Sequence, residues 1–95
     1  MTMHLEINHD RAARRFNTHV EGYPCLIDYQ LNGSVMTITH TSVPSQLAGR
    51  GIAAQLMTTL LDSARAAGWK VLPACSYAAA FMAKHPEYDD LRVPK

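Results

Sequence analysis

The sequence predicts an α+β fold in which antiparallel strands lead into a β-α-β-α unit. The first half of the chain alternates apolar and polar residues, which is typical of strands with one buried face. The second half carries apolar residues at helical spacing. Strands that precede helices in this way are typical of a sheet with helices packed against it.

Three strands are predicted in the first half, over residues 15–20, 23–31 and 34–43. The first two are separated by a turn at Glu21-Gly22. The second and third are joined at Asn32-Gly33, a pair that favours a hairpin because both residues tolerate positive φ. Simple alternation along the third strand puts Met36, Ile38 and His40 on one face.

Two helices and a short strand are predicted in the second half. The first helix covers residues 52–67 and ends at Gly68, a favourable left-handed terminator. A strand over 69–72 is closed by Pro73, and a second helix covers 76–84. The apolar positions that place the first helix recur at helical spacing: Ile52, Leu56, Leu60 and Ala64.

The bulk properties predict one soluble domain spanning residues 1–95. Nine basic residues balance eight acidic ones, which argues against a charge-driven nucleic-acid or membrane partner. Neither a signal peptide nor an apolar run of about 20 residues is present, so we expect a cytoplasmic protein, monomeric by default. Cys25 and Cys75 are predicted to be free thiols, with Cys25 in the core.

The most informative segment contains Gly49 and Gly51, two glycines at a predicted strand-to-helix junction. Such a turn exposes backbone N–H groups and a helix N-terminus, which together favour a phosphate or pyrophosphate. A P-loop is excluded because Ile52-Ala53 stands where Lys-Ser or Lys-Thr is required. A dinucleotide fold needs a carboxylate at the end of the next strand, and residues 71–74 contain none.

The pattern Gln46-x-x-Gly49-x-Gly51 resembles the Q/R-x-x-G-x-G/A pyrophosphate motif of the GNAT superfamily of N-acetyltransferases. The whole chain is similar to a small single-domain branch of that superfamily, the YjdJ-like proteins. Four segments carry this similarity, at residues 40–44, 49–53, 73–77 and 85–91.

This resemblance implies a three-layer GNAT-like fold with a reduced C-terminal strand pair, and acetyl-CoA as co-substrate without a metal. Two strands ending near Val43 and Leu72 would splay apart to admit the thioester. The loop amides would hold the pyrophosphate, and the strand edge at Val43 would pair with the pantetheine. The implied cofactor-binding residues are Val43, Gln46, Leu47, Ala48, Gly49, Arg50, Gly51, Ile52 and Ala53.

Two side chains are the candidates for catalysis. Cys75 follows a strand-to-helix turn, where a thiol is favoured in its reactive thiolate form, and the resembled branch has a cysteine here. It either accepts the acetyl group in a two-step transfer or lines the pocket. His40 is predicted to approach Cys75 across the two splayed strands and to act as the base for the amine or the thiol. The alternative for His40 is a half-buried structural histidine.

The function predicted from these features is a minimal N-acetyltransferase that transfers acetyl to an amine. The acceptor is left open between a protein lysine, an N-terminus, a polyamine and a small metabolite. The alternative is a CoA-binding sensor or adaptor without turnover, which the reduced acceptor side favours.

Overall fold

The computed structural model describes residues 5–93, which form one mixed sheet with helices packed on it. Its elements follow the order β1 (Asn8–Asp10), β2 (Arg15–Val20), β3 (Tyr23–Asn32), β4 (Val35–Ser42), α1 (Ile52–Ala67), β5 (Lys70–Pro73) and α2 (Ser76–Lys84). Short 3-10 helices cover Ser45–Leu47 and Pro86–Leu91. The predicted strands and helices are present with ends shifted by at most one residue, whereas β1 and the 3-10 helices were not predicted.

The strands lie in the order β1-β2-β3-β4-β5. Strands β1 to β4 pair antiparallel with one another in sequence order, and β5 pairs parallel with β4. Because β4 and β5 are parallel, their carboxyl ends lie at the same edge of the sheet, and α1 makes the crossover between them. Both helices begin at this edge, so it brings the start of α1 close to the start of α2.

Helix α1 begins and ends at glycines with positive φ, Gly51 and Gly68. Its apolar stripe packs on the sheet, as the helical spacing predicts, and contacts β2, β3, β4 and β5. The stripe residues are fully buried: Ile52, Leu56, Met57, Leu60, Leu61 and Ala64. Burial of this stripe against the sheet is what stabilises the helix, since an isolated helix of this length is marginal in water.

Both helices lie on one face of the sheet. They contact each other, and their buried residues share one core with inward-facing strand residues such as Ile27 and Ile38. We call this side the helix face, and the side that carries Asp28, His40 and Leu72 the open face.

Within residues 5–93 no helix covers the open face. Leu72 is 45% exposed there, and His40 is also exposed. The α+β class and the order of elements are confirmed. Within residues 5–93 the sheet forms one layer and the two helices form a second, on the helix face.

A β-bulge in β4 changes which side chains face the helices. Tyr29 pairs with Ile38, but the preceding residue of β3, Asp28, pairs with His40, so Thr39 is an extra residue in β4. Paired residues of antiparallel strands point to the same face. His40 therefore lies on the open face, and Thr41, which pairs with Ile27, lies on the helix face. The predicted grouping of His40 with Met36 and Ile38 is wrong, since alternation fails at a bulge.

Candidate functional site

The segment from β4 to α1 forms a loop with two left-handed glycines, which we call the glycine loop (residues 46–53). Gly49 and Gly51 have φ values of +82° and +76°. A Cβ at either position would meet nothing within 4 Å, so backbone conformation rather than crowding requires glycine here. The open space above the loop leaves room for a ligand.

The N-terminus of α1 has no side-chain cap. Gly51 occupies the N-cap position, and the first turn contains no acidic residue. The first helical hydrogen bond of α1 is donated by Gln55 N–H to the Gly51 carbonyl, at 3.1 Å. Among the described residues, the amides of 51–54 have no protein acceptor. Uncapped N–H groups and the helix dipole make this end of α1 a site for an anion.

A cleft of about 320 Å³ opens above these amides. It is lined by Val43, Leu47, Ala48, Gly49, Gly51, Ile52, Ala53, Ala54 and Tyr77. Seven of the nine residues implied for cofactor binding are in this lining, all but Gln46 and Arg50. The cleft therefore coincides with the site that the glycine pattern indicates.

Gln46 and Arg50 lie outside the lining. Gln46 is exposed in the short 3-10 helix before the loop. Arg50 donates to Glu21 in the β2–β3 turn, with 2.6 Å between Nη1 and Oε2. The arginine thus ties the glycine loop to a neighbouring turn instead of pointing into the cleft.

Strands β4 and β5 separate beside the cleft. Their pairing ends at Ile38 and Pro73, while β4 continues to Ser42. The separation has a local cause, because the amides of Ala74 and Cys75 both donate to the Ile38 carbonyl, each at 3.0 Å. Beyond this point one edge of β4 has no strand partner in the described part of the chain. We call this opening the β4–β5 gap; its position agrees with the predicted splay.

Cys75 lies at the β4–β5 gap as the N-cap residue of α2. Its Sγ accepts a hydrogen bond from Ala78 N–H at 3.4 Å. The Thr41 hydroxyl lies 3.5 Å from the same sulfur. The thiol is half-buried and free, whereas Cys25 is fully buried, and burial raises the pKa of the Cys25 thiol. The expected core position of Cys25 is confirmed.

In the structure, His40 and Cys75 lie on opposite sides of the sheet. The bulge in β4 turns His40 to the open face, opposite Asp28, and Thr41 takes the place beside the sulfur. A role for His40 as the base of the thiol has no support in this geometry. Its exposed position on the open face leaves the other predicted role, as base for an amine.

Tyr77 lines the cleft, and sequence reasoning assigned it no role. It lies in the first turn of α2, and its ring is 6.1 Å from the Phe81 ring. Burial raises the pKa of its phenol, which keeps the hydroxyl protonated at neutral pH. The signal available in the sequence was the position of Tyr77, two residues after Cys75 at the predicted start of α2. Both helices begin at the same edge of the sheet, so a residue in the first turn of α2 lies close to the start of α1.

Residues 5–93 contain neither a metal-binding cluster nor a membrane-spanning helix. Their His, Cys, Asp and Glu side chains form no group of three or more that could hold a metal ion. None of the described helices has the length and apolar character needed to cross a membrane.

The family model for GCN5-related N-acetyltransferases matches residues 15–91 of this chain. The chain belongs to this family. The matched range includes β2 through the C-terminal 3-10 helix, and so contains the cleft, the glycine loop and the β4–β5 gap. Membership of the YjdJ-like branch stays a prediction.

Curated relatives and a solved structure agree with the family. Protein NATD1 of Gallus gallus is 28% identical over 85 residues, which cover 86% of this chain and 77% of the relative. Protein NATD1 of Homo sapiens shows the same identity, with 75% of its length covered. A GCN5-like protein from Staphylococcus aureus, solved by NMR, superposes with a TM-score of 0.77 at 26% identity. That match covers 96% of this chain and 90% of the other, which confirms the GNAT-like fold.

Proposed function

We propose that this protein binds acetyl-CoA in the cleft and transfers the acetyl group to an amine. The observation that carries the proposal is the uncapped N-terminus of α1, whose amides at residues 51–54 face a cleft beside the β4–β5 gap. Membership of the N-acetyltransferase family supports the same chemistry. Acetyl-CoA combines a diphosphate with an amide-containing arm and a thioester, and the site offers a separate feature for each.

The diphosphate would bind the amides at the start of α1, which supply hydrogen bonds and a favourable dipole. The pantetheine arm contains amide groups that can pair with the unpartnered edge of β4, from Thr39 to Val43. The thioester would then reach the β4–β5 gap, next to Cys75. In this arrangement the helix face receives the cofactor, and the open face receives the acceptor.

In the proposed direct transfer, the neutral amine nitrogen attacks the thioester carbonyl carbon. A C–N bond forms, the C–S bond breaks, and CoA leaves as a thiolate that takes up one proton while the nitrogen loses one. His40 lies on the acceptor side and is proposed to take the proton from the amine. The protonated phenol of Tyr77 lines the cofactor side, where it can supply a proton to the leaving sulfur.

Cys75 offers a two-step route through the same gap. Its thiolate would attack the thioester carbonyl, releasing CoA and forming an acetyl-cysteine, which the amine then cleaves to give the amide and regenerate the thiol. Intact-mass measurement after incubation with acetyl-CoA, without an amine, distinguishes the routes. A one-acetyl increment that is absent in Cys75→Ala supports the two-step route, and unmodified protein with full turnover supports direct transfer.

The first test is calorimetric titration with acetyl-CoA. Gly49→Glu should weaken binding by at least about tenfold, because a carboxylate beside the amides repels the diphosphate. Gly33→Glu is the matched control, since Gly33 also has positive φ, meets nothing within 4 Å and lies in the β3–β4 hairpin. The control should bind normally. Absence of acetyl-CoA binding by the unmodified protein would overturn the proposal.

Turnover measurements distinguish the proposed enzyme from the alternative function, a CoA-binding sensor without turnover. Release of free CoA thiol is measured with a panel of amines, including a lysine peptide, a polyamine and a small primary amine. His40→Gln should lower the rate while leaving acetyl-CoA affinity unchanged. Tight binding without turnover on any amine would favour the sensor.

A further inference from the structure

The β2–β3 turn lies at the same edge of the sheet as the glycine loop. Because β3 runs antiparallel to β4, the start of β3 lies beside the end of β4. The two residues of the turn are Glu21 and Gly22, with φ values of +53° and +82°. The turn is held on both sides, because Val20 pairs with Tyr23. It therefore provides a fixed point of attachment next to the proposed cofactor site.

Glu21 is an unusual residue for its place in this turn. A two-residue hairpin turn with positive φ at both positions favours Asn, Asp or Gly, since other side chains are strained there. Gly22 follows this preference, whereas Glu21 does not. What distinguishes Glu21 is its carboxylate, which pairs with Arg50 of the glycine loop at 2.6 Å between Oε2 and Nη1.

The middle of the glycine loop has few other restraints. The last backbone bond before it is donated by Ala48, and the first one after it is accepted by the Gly51 carbonyl. Between them, the amides of Gly49 and Arg50 have no protein acceptor within residues 5–93. Because glycine has more conformational freedom than other residues, ordering such a loop on ligand binding costs entropy. The ion pair with Glu21 is the side-chain restraint that the described residues provide here.

The ion pair can affect cofactor binding in two opposite directions. If Arg50 left Glu21 to contact the diphosphate, the carboxylate would compete with the cofactor, and removing it would strengthen binding. If the pair holds the loop in place, removing it would weaken binding, because a site ordered in advance loses less entropy when the ligand binds. The geometry favours the second direction, since Gly49 and Gly51 line the cleft and Arg50 between them does not.

We propose that Glu21 is a positioning residue for the cofactor site, which acts through Arg50 to hold the glycine loop in its ligand-binding conformation. This inference rests on the proposed acetyl-CoA binding and goes beyond it, because it assigns a role to a residue of a separate turn. The Arg50 and Glu21 side chains are 37% and 60% exposed, so the effect is modest. Since neither side chain lines the cleft, the pair controls affinity rather than the chemical step.

The test is calorimetric titration of Glu21→Gln with acetyl-CoA. This variant removes the charge, keeps the size of the side chain, and should weaken binding about fivefold. The sign is informative, because losing a negative charge near an anionic ligand would by itself strengthen binding. Arg50→Gln should also weaken binding, and the double variant should be no weaker than Arg50→Gln alone, because both changes break one restraint. In the amine assay, KM for acetyl-CoA should rise while kcat stays unchanged.

Asp89→Asn is the matched control. Asp89 pairs with Arg92 in the C-terminal 3-10 helix, and its side chain is 60% exposed, as is that of Glu21. The control removes one negative charge outside the cleft and should leave acetyl-CoA affinity unchanged. Unchanged or tighter binding by Glu21→Gln would overturn the positioning role and leave acetyl transfer standing. Absence of acetyl-CoA binding by the unmodified protein would overturn both proposals.

Discussion

At the scale of single residues, the bulge at Thr39 determines which side chains serve each side of the site. Without it, strand alternation would put His40 beside Cys75 and Thr41 on the open face. With it, the order is reversed, and Thr41 Oγ1 lies 3.5 Å from the sulfur. One inserted residue thus places a hydroxyl on the helix face and an imidazole on the open face.

The glycine loop could be predicted from the sequence, whereas the bulge could not. Gly49 and Gly51 have a local signature, because positive φ is a property of the residue itself, and the cleft formed where that signature indicated. The bulge has no such signature, because it arises from the register between β3 and β4. The position of the cleft was therefore largely predictable, and the face on which His40 lies was not.

The contact between Thr41 and Cys75 yields a test at the same scale. Thr41→Val removes the hydroxyl that can donate to the sulfur and should slow alkylation of Cys75 by iodoacetamide about fivefold at neutral pH. Cys25 is fully buried and should not react in the folded protein.

Thr41→Ser is the matched control for that experiment, since it keeps the hydroxyl and should retain most of the alkylation rate. Equal rates for Thr41→Val and the unmodified protein would show that the hydroxyl does not act on the sulfur.

At the scale of elements, the short strand β1 depends on one histidine. His9 stacks on Phe16 with ring centroids 3.9 Å apart, and its Nε2 lies 2.6 Å from the Tyr29 hydroxyl. Burial lowers the pKa of His9, and the nearby charge of Arg11 lowers it further, while Asp10 opposes the shift. A strand of three residues has too little pattern to be predicted, and these side-chain contacts explain why it forms.

The lowered pKa of His9 makes stability depend on pH. The unfolded chain binds the proton more readily than the folded protein, so this group's contribution is present above its unfolded value, near pH 6.5, and is lost as the pH falls below it. Thermal unfolding followed by circular dichroism should show a melting temperature that decreases between about pH 8 and about pH 5.

His9→Gln should reduce that decrease, because glutamine can bond the Tyr29 hydroxyl without titrating. His19→Gln, on the exposed side of β2, provides the comparison and should leave the pH dependence as it is in the unmodified protein. Parallel pH curves for His9→Gln and the unmodified protein would contradict this assignment.

The C-terminal 3-10 helix is fastened to α1 by a second set of contacts. Tyr88 is 9% exposed, and its hydroxyl donates to Asp62 at 3.1 Å. Arg65 donates to Asp90 at 2.6 Å and to the Glu87 carbonyl at 3.0 Å. These bonds join residues more than twenty positions apart, which is why helical periodicity predicted the end of α2 but not the element that follows it.

Tyr88→Phe removes one of these bonds and keeps the ring in the core. The free energy of unfolding should fall by about 1 kcal/mol, the usual net value of a hydrogen bond. Urea unfolding measures the change. Tyr23→Phe, at an exposed position with no side-chain hydrogen bond among residues 5–93, is the control and should be neutral. A neutral Tyr88→Phe would show that the contact with Asp62 contributes nothing to stability.

At the scale of the whole molecule, the two-layer arrangement leaves one complete face of the sheet open. Among the described residues, the large apolar side chains exposed to solvent are Tyr23 and Leu72. Of these two, Leu72 lies on the open face, whose other positions are mostly polar, and Arg15 pairs there with Asp28 at 2.6 Å. Within residues 5–93 this broad, largely polar face is open to solvent from many directions.

The small number of exposed apolar side chains also predicts the oligomeric state of the protein. Two separate exposed apolar side chains do not make the contiguous patch that a stable dimer usually needs. Sedimentation equilibrium at micromolar concentration should therefore give the mass of a single chain, 10.5 kDa. A dimer that dissociates on Leu72→Ser would show instead that the open face is an interface.

The Ile38 carbonyl, which accepts two hydrogen bonds, has a consequence for solubility. By ending the pairing of β4 and β5 early, it leaves backbone donors and acceptors along β4 unsatisfied, and such edges promote the joining of sheets from different molecules. The irregular backbone at Thr39 interrupts this edge and makes it a poor template for another strand. The bulge thus limits self-assembly through a strand edge that would otherwise be free to pair with another molecule.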